Sequence, residues 1–223
     1  GTRVMIDAGP GTVVALQEAA PDLHLDALVV THAHPDHCSD VFHLFNLLRF
    51  GPAAREGLPA FAPDGAAAAL AAFLGADEGH GFHRVFAWRV AGPGDAVRID
   101  ALDLAFARTT HQVLTLAVSV AAGDRRLVYS ADTGPGGGLP SLATGCDVLL
   151  CEATLPAASG EGAAWPFHLS PGQAGALARE AGVGRLILTH LAPMLDPAPA
   201  IAAASAEFGG PVEWAAPGME VQV

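Results

Sequence analysis

The sequence predicts an α/β protein of one domain, and three observations carry that reading. Short apolar strands alternate with helix-like segments through the first part of the chain, closely spaced strands follow from Asp95, and strand–helix alternation then returns. Hydrophobic residues make up 51% of the chain and charged ones 15%, which excludes a disordered polymer. No apolar run approaches the roughly 18 residues that span a bilayer. The 223 residues suffice for one large core or two small ones and contain nothing that reads as a linker, so we expect one domain, 1–223, of two similar halves, roughly 1–94 and 95–223.

Thr2 to Ile6 reads as a strand, Asp7-Ala8-Gly9-Pro10-Gly11 as the turn after it, and Thr12 to Ala20 as a helix. Leu28, Val29 and Val30, within the apolar run Leu25 to Val30, read as a buried strand. Asp36 to Phe50 is helix-like and apolar on more than one face, through Val41, Phe42, Leu44, Phe45, Leu47 and Leu48, which leaves a homodimer open. Pro59 to Ala62 is a short strand, and Asp64 is a candidate N-cap for the Ala-rich helix ending near Gly75. Ala76 to His83 is loop-like, with His80 and His83 expected to face solvent.

From Asp95 the pattern is a meander: Ala96 to Ile99, Leu102 to Arg108, Leu114 to Ala121 and Leu127 to Ser130, with Gly123-Asp124 as a tight hairpin turn. A helix near Leu139 to Thr144 precedes a buried strand, Asp147 to Cys151. Ser170 as N-cap and Pro171 at the first position start a helix to Ala181 that Gly182 and Gly184 end. Strand Arg185 to Thr189, a helix near Pro199 to Phe208, and strands Val212 to Trp214 and Met219 to Val223 complete the chain.

Chemistry concentrates in Thr31-His32-Ala33-His34-Pro35-Asp36-His37, where four strong metal-ligand side chains follow a strand within six residues. On a strand His32 and His34 point to one side. Pro35 ends the strand and lets Asp36 and His37 swing round at a helix start, so two pairs of ligands can serve two metals. A surface loop rich in His is the plainer alternative, but it gives no reason for H-x-H-x-D-H at a strand end. Asp7 is open to two readings, a group that hydrogen-bonds this loop and a turn former.

This stretch resembles the signature of the metallo-β-lactamase fold, a four-layer αββα sandwich. His111, Asp132 and His190, each at the end of an apolar run, supply the rest of that family's ligand set. The resemblance implies that His32, His34 and His111 hold one metal and Asp36, His37 and His190 a second, with Asp132 bridging. Relatives usually carry one more N-terminal strand, so the first strand of the fold is expected to be missing here. Imidazole and carboxylate ligands without thiolate suit two Zn²⁺ ions, with Mn²⁺ or Fe as alternatives. A metal-bound hydroxide would then be the nucleophile, with Asp36 orienting or deprotonating it.

Cys151-Glu152-Ala153-Thr154 and His168-Leu169-Ser170-Pro171-Gly172-Gln173-Ala174 resemble the E-A-T and H-S-T-x-x-x-A elements of the tRNA 3′-processing endonucleases and their phosphodiesterase relatives. By that resemblance His168 faces the scissile phosphate and Glu152 holds its ring and favours its charged form. The expected activity is hydrolysis of a small phosphodiester or nucleotide. The alternatives are a lactonase or other acyl (thio)ester hydrolase, a tRNA 3′-endonuclease, and a non-catalytic module that keeps its metals. The tRNA processors carry a basic arm between the motifs matching His111 and Asp132, and Gln112 to Ala131 leaves no room for one. A net charge of −12 also opposes capture of long nucleic acid. Cys38, Cys146 and Cys151 are odd in number and lack C-x-x-C spacing, which fits a reducing cytoplasm without a signal peptide; Cys38 reads as a small buried residue.

Overall fold

A computed structural model describes residues 1–52, 54–75, 81–157, 165–191 and 196–223. The chain forms two compact units, residues 1–92 with 99–101, and residues 93–98 with 102–223.

The first unit runs β1 (Val4–Ile6), α1 (Thr12–Ala19), β2 (Ala27–Val29), α2 (Pro35–Cys38), α3 (Val41–Phe50), β3 (Leu58–Ala62), α4 (Ala66–Phe73), α5 (Phe82–Val85) and β4 (Phe86–Val90). Its strands pair in parallel in the order β1-β2-β3-β4, a topology that needs the intervening helices as crossovers. Every residue of β2 is buried, which explains its unbroken apolar run. Leu28, Val30, Leu44, Leu48, Phe82 and Phe86 form the centre of this core.

Four expectations change in this unit. The helix expected over Asp36 to Phe50 is two helices, because the Asp40 N–H donates to the Ala8 carbonyl and its carboxylate accepts from the Val13 N–H, which turns the chain between them. Asp64 does not cap α4. Gly65 takes that position at φ 82°, a left-handed turn that comes freely to glycine, and no side chain caps the helix. The segment Ala76 to His83 is not all loop, since α5 begins at Phe82; His83 is exposed on it, and His80 lies outside the described residues. Strand β4 went unread, although its Trp88 rests against Phe82 and Phe86.

The second sheet takes β5 (Ala96–Ile99), β6 (Leu102–Arg108), β7 (Leu116–Ala122), β8 (Arg125–Tyr129), β9 (Val148–Glu152), β10 (Arg185–Thr189) and β11 (Val212–Trp214), in the order β11-β10-β9-β8-β7-β6-β5. Helices α6 (Leu139–Ala143), α7 (Pro171–Ala181) and α8 (Ala198–Phe208) accompany it. Strand β7 is antiparallel to both β6 and β8, while β8, β9, β10 and β11 are mutually parallel. It follows that β6, β8, β9 and β10 all end at one edge and β7 ends at the other. Helix α7 has a full capping box: Ser170 Oγ accepts from the Gln173 N–H, and the Gln173 side chain accepts from the Ser170 N–H. Helices α7 and α8 meet where a Cβ on Gly175 would come within 2.3 Å of the Ala204 carbonyl oxygen.

Met219–Val223 is not a strand. The chain turns through Gly218 at φ 77°, and the last residues join no ladder among those described. No described helix is long and apolar enough to cross a membrane.

Candidate metal centre

In the first unit, His32, His34, Asp36 and His37 follow β2 and enter α2. His32 is fully buried, His37 is 4% exposed, and Asp36 reaches solvent. His32 Nε2 and His34 Nδ1 lie 3.1 Å apart. Two nitrogens about 2.0–2.1 Å from one tetrahedral cation would be separated by about 3.3 Å, so this pair fits a shared divalent ion.

The turn after β1 holds the loop in place. Asp7, at φ 60°, accepts from the Thr31 N–H at 2.7 Å and the Thr31 hydroxyl at 2.8 Å, and its Oδ2 lies 2.7 Å from His37 Nδ1. Asp7 is therefore both a turn residue and a support for the loop. A carboxylate can only accept, so His37 Nδ1 carries the proton and Nε2 the lone pair. The Ala8 N–H donates to the His37 carbonyl, and a Cβ on Gly9 would meet the Asp36 carbonyl oxygen at 1.9 Å. Burial pushes the Cys38 thiol up to about 11, helped by the charges of Asp7 and Asp36, so it is no thiolate ligand at neutral pH.

In the second unit, His111, Asp132, Glu152 and His190 end or follow β6, β8, β9 and β10, the strands that finish at a common edge. Reversed β7 supplies none of them, as expected for a site at the carboxyl ends of parallel strands. Asp132 is buried, with Oδ2 3.7 Å from His111 Nε2 and Oδ1 3.5 Å from His190 Nε2. These separations are long for hydrogen bonds and suit ligands around a cation. Asp132, His168 and His190 each offer a ligand atom within 4.8 Å of the others.

The ring orientations are set from behind. His111 Nδ1 donates to the Phe167 carbonyl at 3.1 Å. Thr154 Oγ1 donates to Glu152 Oε2 at 2.8 Å and so receives the proton of His190 Nδ1 at 2.7 Å. Both imidazoles are left with the Nε2 lone pair toward Asp132, the arrangement a metal-binding histidine needs. Glu152 is the hub of this network. Fully buried, it accepts from the Thr133 N–H at 2.6 Å and His168 Nδ1 at 3.0 Å through Oε1, and from Thr154 and the Leu169 N–H through Oε2.

Sequence reasoning missed the supporting roles of Thr31, Thr133 and the Phe167 carbonyl; only their place beside a candidate ligand or general acid could have pointed to them. Backbone strain collects here too. Asp7, Ala131 and His190 have positive φ, each at a cost of about 1–3 kcal/mol that the surrounding bonds must offset.

Residues 2–191 match the Beta-lactamase superfamily domain. An uncharacterised protein of Mycobacterium tuberculosis is 32% identical over 216 residues, covering 94% of this chain and 77% of that protein. Ribonuclease Z of Myxococcus xanthus is 40% identical over 101 residues, 44% of this chain and 33% of the enzyme. The crystal structure of YhfI from Bacillus subtilis, described as a metallo-β-lactamase fold protein, superposes with a TM-score of 0.83 at 24% identity, covering 97% of this chain and 85% of that one. The last likeness shows the fold, a mixed α/β sandwich with two sheets. The family match, which spans most of the chain, places it in the β-lactamase superfamily.

Proposed function

We propose that the protein is a dinuclear metal-dependent phosphodiesterase acting on a small phosphodiester or nucleotide. The observation that carries this reading is the buried pair of Glu152 and His168, set among the donor atoms of Asp132 and His190. In this reading His32, His34 and His111 would hold one divalent ion and Asp36, His37 and His190 a second, with Asp132 shared between them. The donor chemistry suits Zn²⁺, or Mn²⁺ or Fe. Such ions, when bound, lower the pKa of water and offset charge on phosphoryl oxygens.

The chain's own contribution is orientation and proton transfer. With Nδ1 donating to Glu152, His168 exchanges protons through Nε2, where it can steady charge on the phosphoryl oxygens or protonate the leaving oxygen. Asp36, reaching solvent at the start of α2, orients the attacking water. The likeness to a ribonuclease, an enzyme of phosphodiester hydrolysis, supports the reaction class.

A small substrate is favoured by where the arginines are spent. Arg125 pairs with Asp147 at 2.8 Å, and Arg126 donates to the carbonyls of Leu142 and Thr144, so the β7–β8 hairpin offers no basic arm. Arg98 is bound to Asp103 and Arg185 to Glu213. A homodimer and a cytoplasmic location belong to the same reading, supported by the exposed rings of Phe50 and Phe73 and by three free, buried cysteines.

The test is His168→Ala. It is expected to keep its metals and to lose on the order of 10²–10⁴-fold in kcat on an activated phosphodiester. An unchanged rate, or robust lactone hydrolysis with negligible phosphodiester cleavage, defeats the reading. A second assignment has its own observation, the ligand-forming distance of His168 from Asp132 and His190. Loss of a metal from the His168→Ala protein would establish that one instead.

A further inference from the structure

Trp165 presents a large, 58% exposed indole beside a buried polar site. Its ring is stacked on the imidazole of His168, with centroids 6.0 Å apart and planes 20° from parallel. The His168 ring is in turn stacked with that of His190, at 5.8 Å and 16°. Three aromatic planes are thus stacked in succession, and the indole is the most exposed of them.

The indole is also held there. Pro166 is pressed on Gly134 so closely that a Cβ on that glycine would lie 1.7 Å from the Pro166 carbonyl oxygen. The Phe167 carbonyl accepts from His111 Nδ1, and His168 Nδ1 and the Leu169 N–H both donate to Glu152. Each residue from Pro166 to Leu169 is tied to the second unit's site, and Trp165 heads this strap. Its placement follows from those contacts rather than from burial of its own surface. An indole kept in water at such a position calls for a ligand with a flat face.

We propose that Trp165 is a specificity residue that receives the base of a nucleotide substrate by stacking. The inference rests on the phosphodiesterase reading and narrows its substrate to phosphodiesters carrying a heteroaromatic base. In a nucleotide the base is separated from the phosphorus by little more than the sugar, which matches an indole lying one ring away from the imidazole assigned to the phosphate. Stacking uses the π-face that every base has, so the site discriminates strongly between base and no base and weakly among bases.

The experiment compares wild type, Trp165→Ala and Trp165→Phe on a nucleoside 3′,5′-cyclic monophosphate and on ribose 3′,5′-cyclic phosphate, which lacks the base. Trp165→Ala is expected to lose about 10- to 100-fold in kcat/KM on the nucleotide and nothing on the base-free ester, with Trp165→Phe recovering most of the loss. Equal losses on both esters, the mark of an indole that only props His168, would overturn the proposal, as would an unaffected nucleotide. If wild type cleaves neither ester, the phosphodiesterase reading fails, and binding still decides this one. A nucleoside monophosphate should quench the indole fluorescence of wild type and not that of Trp165→Ala, which keeps the other two tryptophans. Absence of that difference would overturn the stacking role.

Discussion

Glu152 Oε1 and His168 Nδ1 lie 3.0 Å apart in a pocket of protein where neither is more than 7% exposed, and the second oxygen of the same carboxylate reaches His190 through Thr154. One buried group therefore stands behind both the proposed acid and a proposed ligand. Glu152→Gln puts a donor where five donors already converge, and is expected to lower kcat by about 10–100-fold and to weaken metal retention together. His168→Ala should lower kcat alone. Elemental analysis beside kinetics separates the two variants, and a Glu152→Gln protein with full activity would contradict the network's role.

Asp132 is expected to join two ions. The purified, metal-replete protein should hold two divalent metals per chain, and Asp132→Ala should lose both together with its activity. One metal per chain at saturation, or an Asp132→Ala protein that keeps both, argues against a shared bridge.

Gly9 tests the support on the other ligand loop. A methyl group there would overlap the Asp36 carbonyl oxygen, 1.9 Å away, and no flexible side chain is present to move aside. Gly9→Ala should cost about 1–3 kcal/mol, seen as a fall in Tm of several degrees, and should reduce metal affinity because the displaced backbone carries Asp36 and His37. An unchanged Tm would show that the turn relaxes without disturbing the loop.

Much of this arrangement is legible in the sequence because it rests on local rules. The apolar run before His32 marks a strand, Pro35 marks the start of α2 although the strand already ends at Val29 and leaves His32 and His34 in the loop after it, and Ser170-Pro171 marks a helix start that Gln173 completes. What was misread depends on partners distant in the chain. The break between α2 and α3 is made by Asp40 reaching back to Ala8 and Val13, which no helical periodicity reveals. Met219–Val223 has the alternation of a strand but no neighbour among the described residues to pair with. Thr31 and Thr154 look like ordinary polar residues beside a motif, and only the folded chain shows the bonds they make.

The central claim is that the site serves a small phosphodiester rather than a long polyanion. The direct measurement is a competition at physiological salt: the metal-loaded protein is given a small cyclic phosphodiester and a tRNA precursor with a 3′ trailer at matched concentrations. The chain bears a net charge of −12, and Arg125 and Arg126 are already engaged at their hairpin. Few arginines remain to exchange counterions with RNA, so the cyclic ester should be cleaved and the trailer left in place. Efficient, site-specific trailer removal with the cyclic ester intact would contradict the account.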